Sequence, residues 1–506
     1  MELPQGFRER MSRLLGGEYP AFLASYDREI SRGLRLNGWK SREGRREGWE
    51  REGSGEEADF LRKEAGFSLE PIPWVPEGYF YGPDCRPGRS PLHEAGVYYI
   101  QEPSAMAAAA LLDPEPGDQV LDLCAAPGGK TTQIGSRLKG RGFLLSNEIH
   151  PARARILSQN VERMGLGNVA VTNHAPGELA DRFPEAFDKI AVDAPCSGEG
   201  MFRREEEALA QWSGELIKAC AERQREILCS AARMLRPGGR LVYSTCTFAP
   251  EENEGVLADF LAEHGDFYVE RRQGYEEFSP GRPDWVEGGR GDGFCLERAF
   301  RLMPHRTRGE GHFVASLRKR GGEEESGAGS LRLAGPGGDA GRRAKKETFP
   351  GREPRYLDRK RLGDSWKAFE AFLEETFTDP GELAGRREYL NFGDQLYLAP
   401  PQMPDTEGLK ILRPGLHMGT FKKNRFEPSH SLALWLLPEQ ALRKKDLPLG
   451  SPELSAYLRG ESLPWTGKGD KKGWVLITTA GFSLGWAKLA GGVLKNHYPK
   501  GLRICL

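Results

Sequence analysis

The 506-residue chain lacks an excess of either charge: 72 Lys and Arg stand against 73 Asp and Glu, leaving a net charge of -1. A whole-chain attraction to nucleic acid is therefore excluded, and any such binding must rest on local basic patches. No run of about 18 apolar residues occurs, so no transmembrane helix and no membrane partner are expected. The opening MELPQGFRERMSRLL has no apolar core of the secretory kind. The eight cysteines, at 85, 124, 196, 220, 229, 246, 295 and 505, include no Cys-x-x-Cys pair. In so long a chain this argues against a zinc ribbon and a disulfide framework, and for free thiols in a reducing cytoplasm without a metal site. Two glycine signatures are missing as well. In 120-VLDLCAAPGGKTT-132, Cys124 stands where a phosphate-binding loop G-x-x-x-x-G-K-[ST] needs its first glycine, and Pro127 removes an N–H donor. The dinucleotide fingerprint G-x-G-x-x-G is absent too. These gaps count against a nucleotide hydrolase and a nicotinamide enzyme.

What is present has a clear order. Residues 1–100 mix a short helical start with charged, glycine-rich stretches such as 42-REGRREGWEREGSGEE-57. From about 101, apolar runs of strand length (120-VLDL-123, 143-FLLSN-147, 189-KIAVD-193, 240-RLVYST-245) alternate with helix-like segments at 150–165 and 215–235. That alternation predicts an α/β fold with a doubly wound, largely parallel sheet over 101–320. The stretch 320-RGGEEESGAGSLRLAGPGGDAGRRAKKE-347 has almost no large apolar residue and reads as linker. With the basic run that follows it, this gives a linker region 321–362 and a separate C-terminal domain, 363–506, containing 389-YLNFGDQLYLAP-400 and 473-GWVLITTAGFSLGWAKL-489.

In a doubly wound sheet, ligands sit beyond the carboxyl ends of the strands. The glycine turn at Gly128 and Gly129 lies at such an end. Glu148 follows the next strand, 20 residues after Gly128, where a carboxylate can accept hydrogen bonds from a ribose diol. An acid at a helix start is the alternative reading of Glu148. A ribose without a phosphate cradle points to S-adenosylmethionine. Cys196, in 193-DAPCSGEGMFRR-204, and Cys246, in 243-YSTCTFAPEENE-254, each follow an apolar strand in a polar loop at that same edge. A thiolate that adds to C6 of a pyrimidine makes C5 nucleophilic toward a sulfonium methyl group. The C5 proton must then leave and the thiolate must be expelled, which calls for a second group acting as base. A carboxylic acid such as Asp193 could protonate N3 of cytosine.

Together, 98-YYIQEPSAM-106, 122-DLCAAPGGKT-131, 193-DAPCSGEG-200 and 243-YSTCT-247 resemble the RNA 5-methylcytosine methyltransferases of the RsmB/RsmF (NOL1/NOP2/Sun) family. The resemblance implies a Rossmann-like class I methyltransferase sheet, with an N-terminal α+β, RNA-binding extension over 1–100 and a small, PUA-like, mainly β C-terminal domain. It implies Cys246 as nucleophile, Cys196 as the residue assisting release, and Asp193 at the cofactor and target-base site. Cys124, Ala125, Ala126, Pro127, Gly128, Gly129, Lys130 and Glu148 would bind S-adenosylmethionine. One position departs from the family pattern: near the end of the third sheet strand, Ala175 stands where an acidic adenine contact is usual. Asn173, His174, Glu178 or a backbone N–H is expected to replace it.

The segments 300-FRLMPHRTRGEGHFVASLRK-319 and 481-GFSLGWAKLAGGVLKNHYPKGLR-503 resemble the RsmF branch, which modifies small-subunit ribosomal RNA. The expected activity is cytosine-C5 methylation of 16S rRNA by a cytoplasmic monomer. The rivals are a tRNA methyltransferase and a non-catalytic RNA-binding assembly factor, and intact Cys196 and Cys246 count against the second. In the C-terminal segment, Lys488, Lys495, His497, Lys500 and Arg503 interleave with Trp486 and Tyr498. Cations could meet phosphate and aromatics could stack on bases. Equally, both aromatics could belong to the core of a small β-domain.

Overall fold

The computed structural model describes residues 2–40, 54–321, 355–356 and 362–504, apart from positions 387, 401, 424 and 468–471. The stretch 42–53, most of 320–347, nearly all of the basic run 342–361 and Cys505 lie outside the described residues.

Helix α1 (Gln5–Leu15) buries Phe7 and Met11, spaced i, i+4 on one face. Both pack with Phe22 and with Phe202, Phe248 and Met303 from further along the chain. Strands β1 (Gly33–Leu36), β2 (Leu69–Ile72), β3 (Val75–Tyr81) and β4 (Tyr98–Ile100) form an antiparallel sheet in the order β2-β3-β1-β4.

The central sheet holds β5 (Gln119–Asp122), β6 (Phe143–Asn147), β7 (Val169–Thr172), β8 (Phe187–Asp193) and β9 (Leu235–Thr245). It continues with β10 (Phe267–Val269), β11 (Ser279–Pro280), β12 (Phe300–Leu302) and β13 (His312–Lys319). The order is β11-β12-β13-β9-β8-β5-β6-β7, with β10 paired to β13. From β7 to β9 the pairs are parallel, and β13 runs antiparallel to β9. Every residue of β5, β6 and β7 is buried, because helices cover both faces. That burial explains why their sequences are continuous apolar runs rather than alternating ones.

Helix α2 (Gly129–Arg137) follows β5, and α3 (Pro151–Arg163) follows β6 with its proline in the first turn. Helix α4 (Gly214–Met234) starts at Ser213, whose hydroxyl accepts the Leu216 N–H at 3.1 Å. Its buried stripe of Ile217, Cys220, Gln224, Ile227 and Ala231 follows the helical repeat. Leu235 is already extended, and Pro237 could not continue a helix. Helix α5 (Glu254–Glu263) follows β9.

The C-terminal region is not self-contained. It has two five-stranded sheets, the second centred on Gly473–Thr479 and Phe482–Ala490. Its segment Ile411–Arg413 leaves them and pairs antiparallel with β7, extending the central sheet. Leu34 and Tyr98 share a single core with Tyr457 and Leu484, so the two ends of the chain pack together. Trp486 and Tyr498 are 1% and 2% exposed. The Trp486 indole donates to the Ser429 carbonyl at 2.9 Å, and the Tyr498 hydroxyl reaches Glu94 at 3.3 Å. Both rings therefore belong to the core and cannot stack on bases.

Candidate active site

The parallel strands deliver their carboxyl ends to one edge. There β5 leads into Cys124–Gly129, β6 into Glu148, β8 into Asp193–Cys196 and β9 into Cys246. Gly128 has φ +116°, in the left-handed region, and a Cβ there would lie 3.2 Å from Leu157 of α3. A Cβ at Gly129 would meet Gln101 at 3.2 Å. The turn is clamped from outside by Arg35 of β1, which donates to Thr132 Oγ1 at 2.9 Å and to the Gly129 carbonyl at 3.2 Å. Burial lowers the Arg35 guanidinium to about 10. Beneath the turn, Asp122 Oδ2 accepts the Thr131 hydroxyl at 2.6 Å, while Oδ1 is buried with no hydrogen-bond partner. Burial pushes the Asp122 carboxyl up to about 7. Cys124 is half-buried against the core, and burial pushes its thiol far up, so it is a packing residue rather than a nucleophile.

Glu148 is 4% exposed, and its Oε1 accepts the His150 N–H at 2.8 Å. Arg153 lies 3.6 Å from Oε2. The neighbouring Ile149 is 60% exposed, an apolar surface beside a carboxylate where a nucleoside could rest. Asn173 Nδ2 donates to the carbonyls of Glu148 and Ile149, both at 2.7 Å. His174 Nδ1 pairs with Glu178 at 2.9 Å, and its Nε2 accepts the Lys410 N–H at 2.7 Å. The side chains around Ala175 thus tie the Glu148 loop to the C-terminal region.

Cys196 and Cys246, 50 positions apart in sequence, are free thiols with Sγ atoms 3.3 Å apart. Beside them Lys130 Nζ is 2.6 Å from Asp193 Oδ2, so Lys130 points to the thiol side of the turn. Ser244 donates to Asp193 Oδ1 at 2.8 Å, and His312 Nε2 lies 3.6 Å from the same atom. Burial alone would raise Asp193, but Lys130 and His312 outweigh it and hold the carboxyl well below its usual range. Asp193 is thus set to accept hydrogen bonds from Ser244 and Lys130 at this edge. Burial would likewise lower Lys130, and Asp193 more than offsets that.

His312 and Arg35 carried no motif signal. His312 reaches this edge because β13 runs backward along β9, with Phe313 opposite Thr245. Arg35 arrives on a different sheet. Away from this edge, Cys229 on α4, Glu263 at the end of α5 and His264 just after it hold their ligand atoms within 4.8 Å of one another.

A family model described as 16S rRNA methyltransferase RsmB/F matches residues 109–318. Models of the RsmF N-terminal domain, its first C-terminal domain and its PUA domain match 3–103, 371–436 and 444–504. The chain is 31% identical over 513 residues to ribosomal RNA small subunit methyltransferase F of Klebsiella pneumoniae, covering 99% of this chain and 96% of that one. The chain belongs to the RsmF family. The Shewanella loihica member is 31% identical over 461 residues, covering 88% of this chain and 87% of its own. A methyltransferase homolog from Pyrococcus horikoshii superposes with a TM-score of 0.52 at 28% identity, over 62% of this chain and 95% of that one. Like the family, the chain is an S-adenosylmethionine-dependent ribosomal RNA methyltransferase. The Asp122 Oδ1, without a hydrogen-bond partner among the described residues, and the Glu148 carboxylate beside exposed Ile149 fit that cofactor. No helix among the described residues is long and apolar enough to cross a membrane.

Proposed function

We propose that this RsmF-family protein methylates C5 of a cytosine in 16S rRNA through a covalent bond between Cys246 and C6, acting as a cytoplasmic monomer. The observation that carries this reading is the 3.3 Å approach of Cys196 and Cys246 beside the Lys130–Asp193 pair. Methylation of an exocyclic amine needs no thiol, and RNA binding alone needs neither.

The turn from Cys124 to Lys130 and the Glu148 carboxylate would hold S-adenosylmethionine, with Glu148 on the ribose. When bound, the cofactor supplies an electrophilic methyl group. Cys246 adds as thiolate to C6, which moves electron density to C5 and makes it the attacking carbon. Asp193 accepts a hydrogen bond from the cytosine edge, and Lys130 both fixes the carboxylate and stabilises negative charge that develops on the ring. Cys196, its own proton having passed to solvent water, then removes the C5 proton as thiolate, the C5–C6 double bond re-forms, and Cys246 leaves as thiolate.

Cys246→Ala is expected to abolish methyl transfer while leaving cofactor affinity within about twofold of wild type. Cys196→Ala is expected to add to the base but stall at elimination, leaving a protein–RNA adduct on a denaturing gel. Undiminished turnover in the first variant overturns the mechanism, and bisulfite mapping of rRNA from a deletion strain identifies the cytosine.

A further inference from the structure

Glu252 stands six residues beyond Cys246 and is fully buried. Its Oε2 accepts the Ser197 N–H at 3.0 Å and the Gln224 amide at 2.9 Å. Its Oε1 is buried with no hydrogen-bond partner among the described residues. Gln224 also donates to the Pro195 carbonyl at 3.0 Å, and its oxygen accepts the Tyr243 hydroxyl at 3.0 Å. The peptide groups on both sides of Cys196 are thus held by two buried side chains that are bonded to each other. The next residues of the two thiol loops are joined by a 2.8 Å contact between the Ser197 and Thr247 hydroxyls. Cys246 has more support, because it follows a strand laddered to β8 on one side and β13 on the other, and its carbonyl accepts the Gly200 N–H at 2.8 Å.

Burial of a carboxyl without an ion-pair partner costs stability, and burial also raises Glu252 above its ordinary range. Such a group is retained where it serves a site rather than the fold. Resting on the covalent reading above, we infer that Glu252 is a positioning residue for product release. Through Ser197 and Gln224 it sets the Cys196 loop and keeps its thiol 3.3 Å from Cys246. In that release Cys196, its own proton having first passed to solvent water, takes the C5 proton as thiolate, and the C–H electron pair becomes the C5–C6 double bond. The S–C6 pair returns to Cys246. A misplacement of about 1 Å slows such a step on the order of a hundredfold. Addition by Cys246 is expected to be affected less, because its strand is laddered on both sides.

The test uses full-length Glu252→Ala, Glu252→Gln and Gln224→Ala with S-adenosylmethionine and small ribosomal subunits from a strain lacking the enzyme. Glu252→Ala is expected to make its first methyl transfer within about threefold of wild type, while steady-state turnover falls by about tenfold or more and adduct accumulates on a denaturing gel. Glu252→Gln keeps an acceptor oxygen for Ser197 and is expected to restore turnover to within about threefold. Should Glu252→Ala not fold, Gln224→Ala carries the same expectation. First-turnover and steady-state rates falling together, or no adduct in a folded variant, overturns the inference. Absence of adduct in Cys196→Ala overturns the covalent reading instead. Adduct in Cys196→Ala but not in Glu252→Ala or Gln224→Ala overturns the role of Glu252 alone.

Discussion

At the catalytic edge, Lys130 is 8% exposed and its ammonium lies 2.6 Å from a carboxylate, whereas Lys495 on the C-terminal sheet stands in solvent. The two regions sort charge and apolar surface in opposite ways. At the edge, strand ends pull Lys130, Asp193 and two thiols inward, and burial makes each charge depend on its partner. On the C-terminal sheet, Trp486 and Lys488 lie two residues apart on one strand and share a face, the ring packed into the core and the ammonium at the rim, 5.1 Å over the Trp474 ring. Lys488 and Lys495 face one another across neighbouring strands, while Trp486 and Tyr498 are buried in the core. Interleaved cations and aromatics therefore mark a reactive site only where the backbone turns both inward.

Breaking the buried pair is the strongest probe of this difference. Lys130→Met leaves the half-buried Asp193 carboxylate without its main partner, and should cost about 1–3 kcal/mol of stability in urea titrations and reduce kcat by about a hundredfold or more. Cutting the C-terminal core should cost stability without touching chemistry. Trp486→Ala is expected to destabilise by about 3–5 kcal/mol, with single-turnover methyl transfer by the folded fraction within about twofold. A selective loss of chemistry there would erase the contrast.

A third probe uses pH. Asp122 titrates at about 7 in the folded protein against 3.8 for an ordinary aspartate, so the folded state keeps a proton that the unfolded chain releases. Stability from this group is present below pH 3.8 and falls as pH rises toward 7. Asp122→Asn retains an acceptor for Thr131 and removes the titration, so it should lose about 2 kcal/mol less than wild type between pH 5 and pH 7. Equal pH slopes would show that Asp122 is ionised throughout. The smallest effect is expected at the solvent face. Lys495→Ala should leave stability within about 0.5 kcal/mol and reduce the salt slope of RNA binding by about one, read from filter binding at several ionic strengths.

Much of the catalytic edge was legible because its motifs are short and local. Strand, glycine turn and acid follow one another within 30 residues, from 119 to 148, and parallel winding puts every strand end on one side. The role of Lys130 was not legible, since the same loop position serves a cofactor or a base depending on which way one side chain turns. His312 was hidden because only the reversal of β13 brings its first residue to the edge. Arg35 was hidden because its partner, Thr132, is 97 positions away.

The sequence by itself determined the order of elements, the helical and strand periods, and which residue types could do the chemistry. Those follow from local sterics and from the apolar pattern, which depend on near neighbours. Only the tertiary structure decided that the two thiols touch, that Lys130 pairs with Asp193, that Trp486 and Tyr498 are core, and that Ile411–Arg413 completes the central sheet. Each of these depends on burial and on distances between segments far apart in the chain, and those are fixed only when the layers pack.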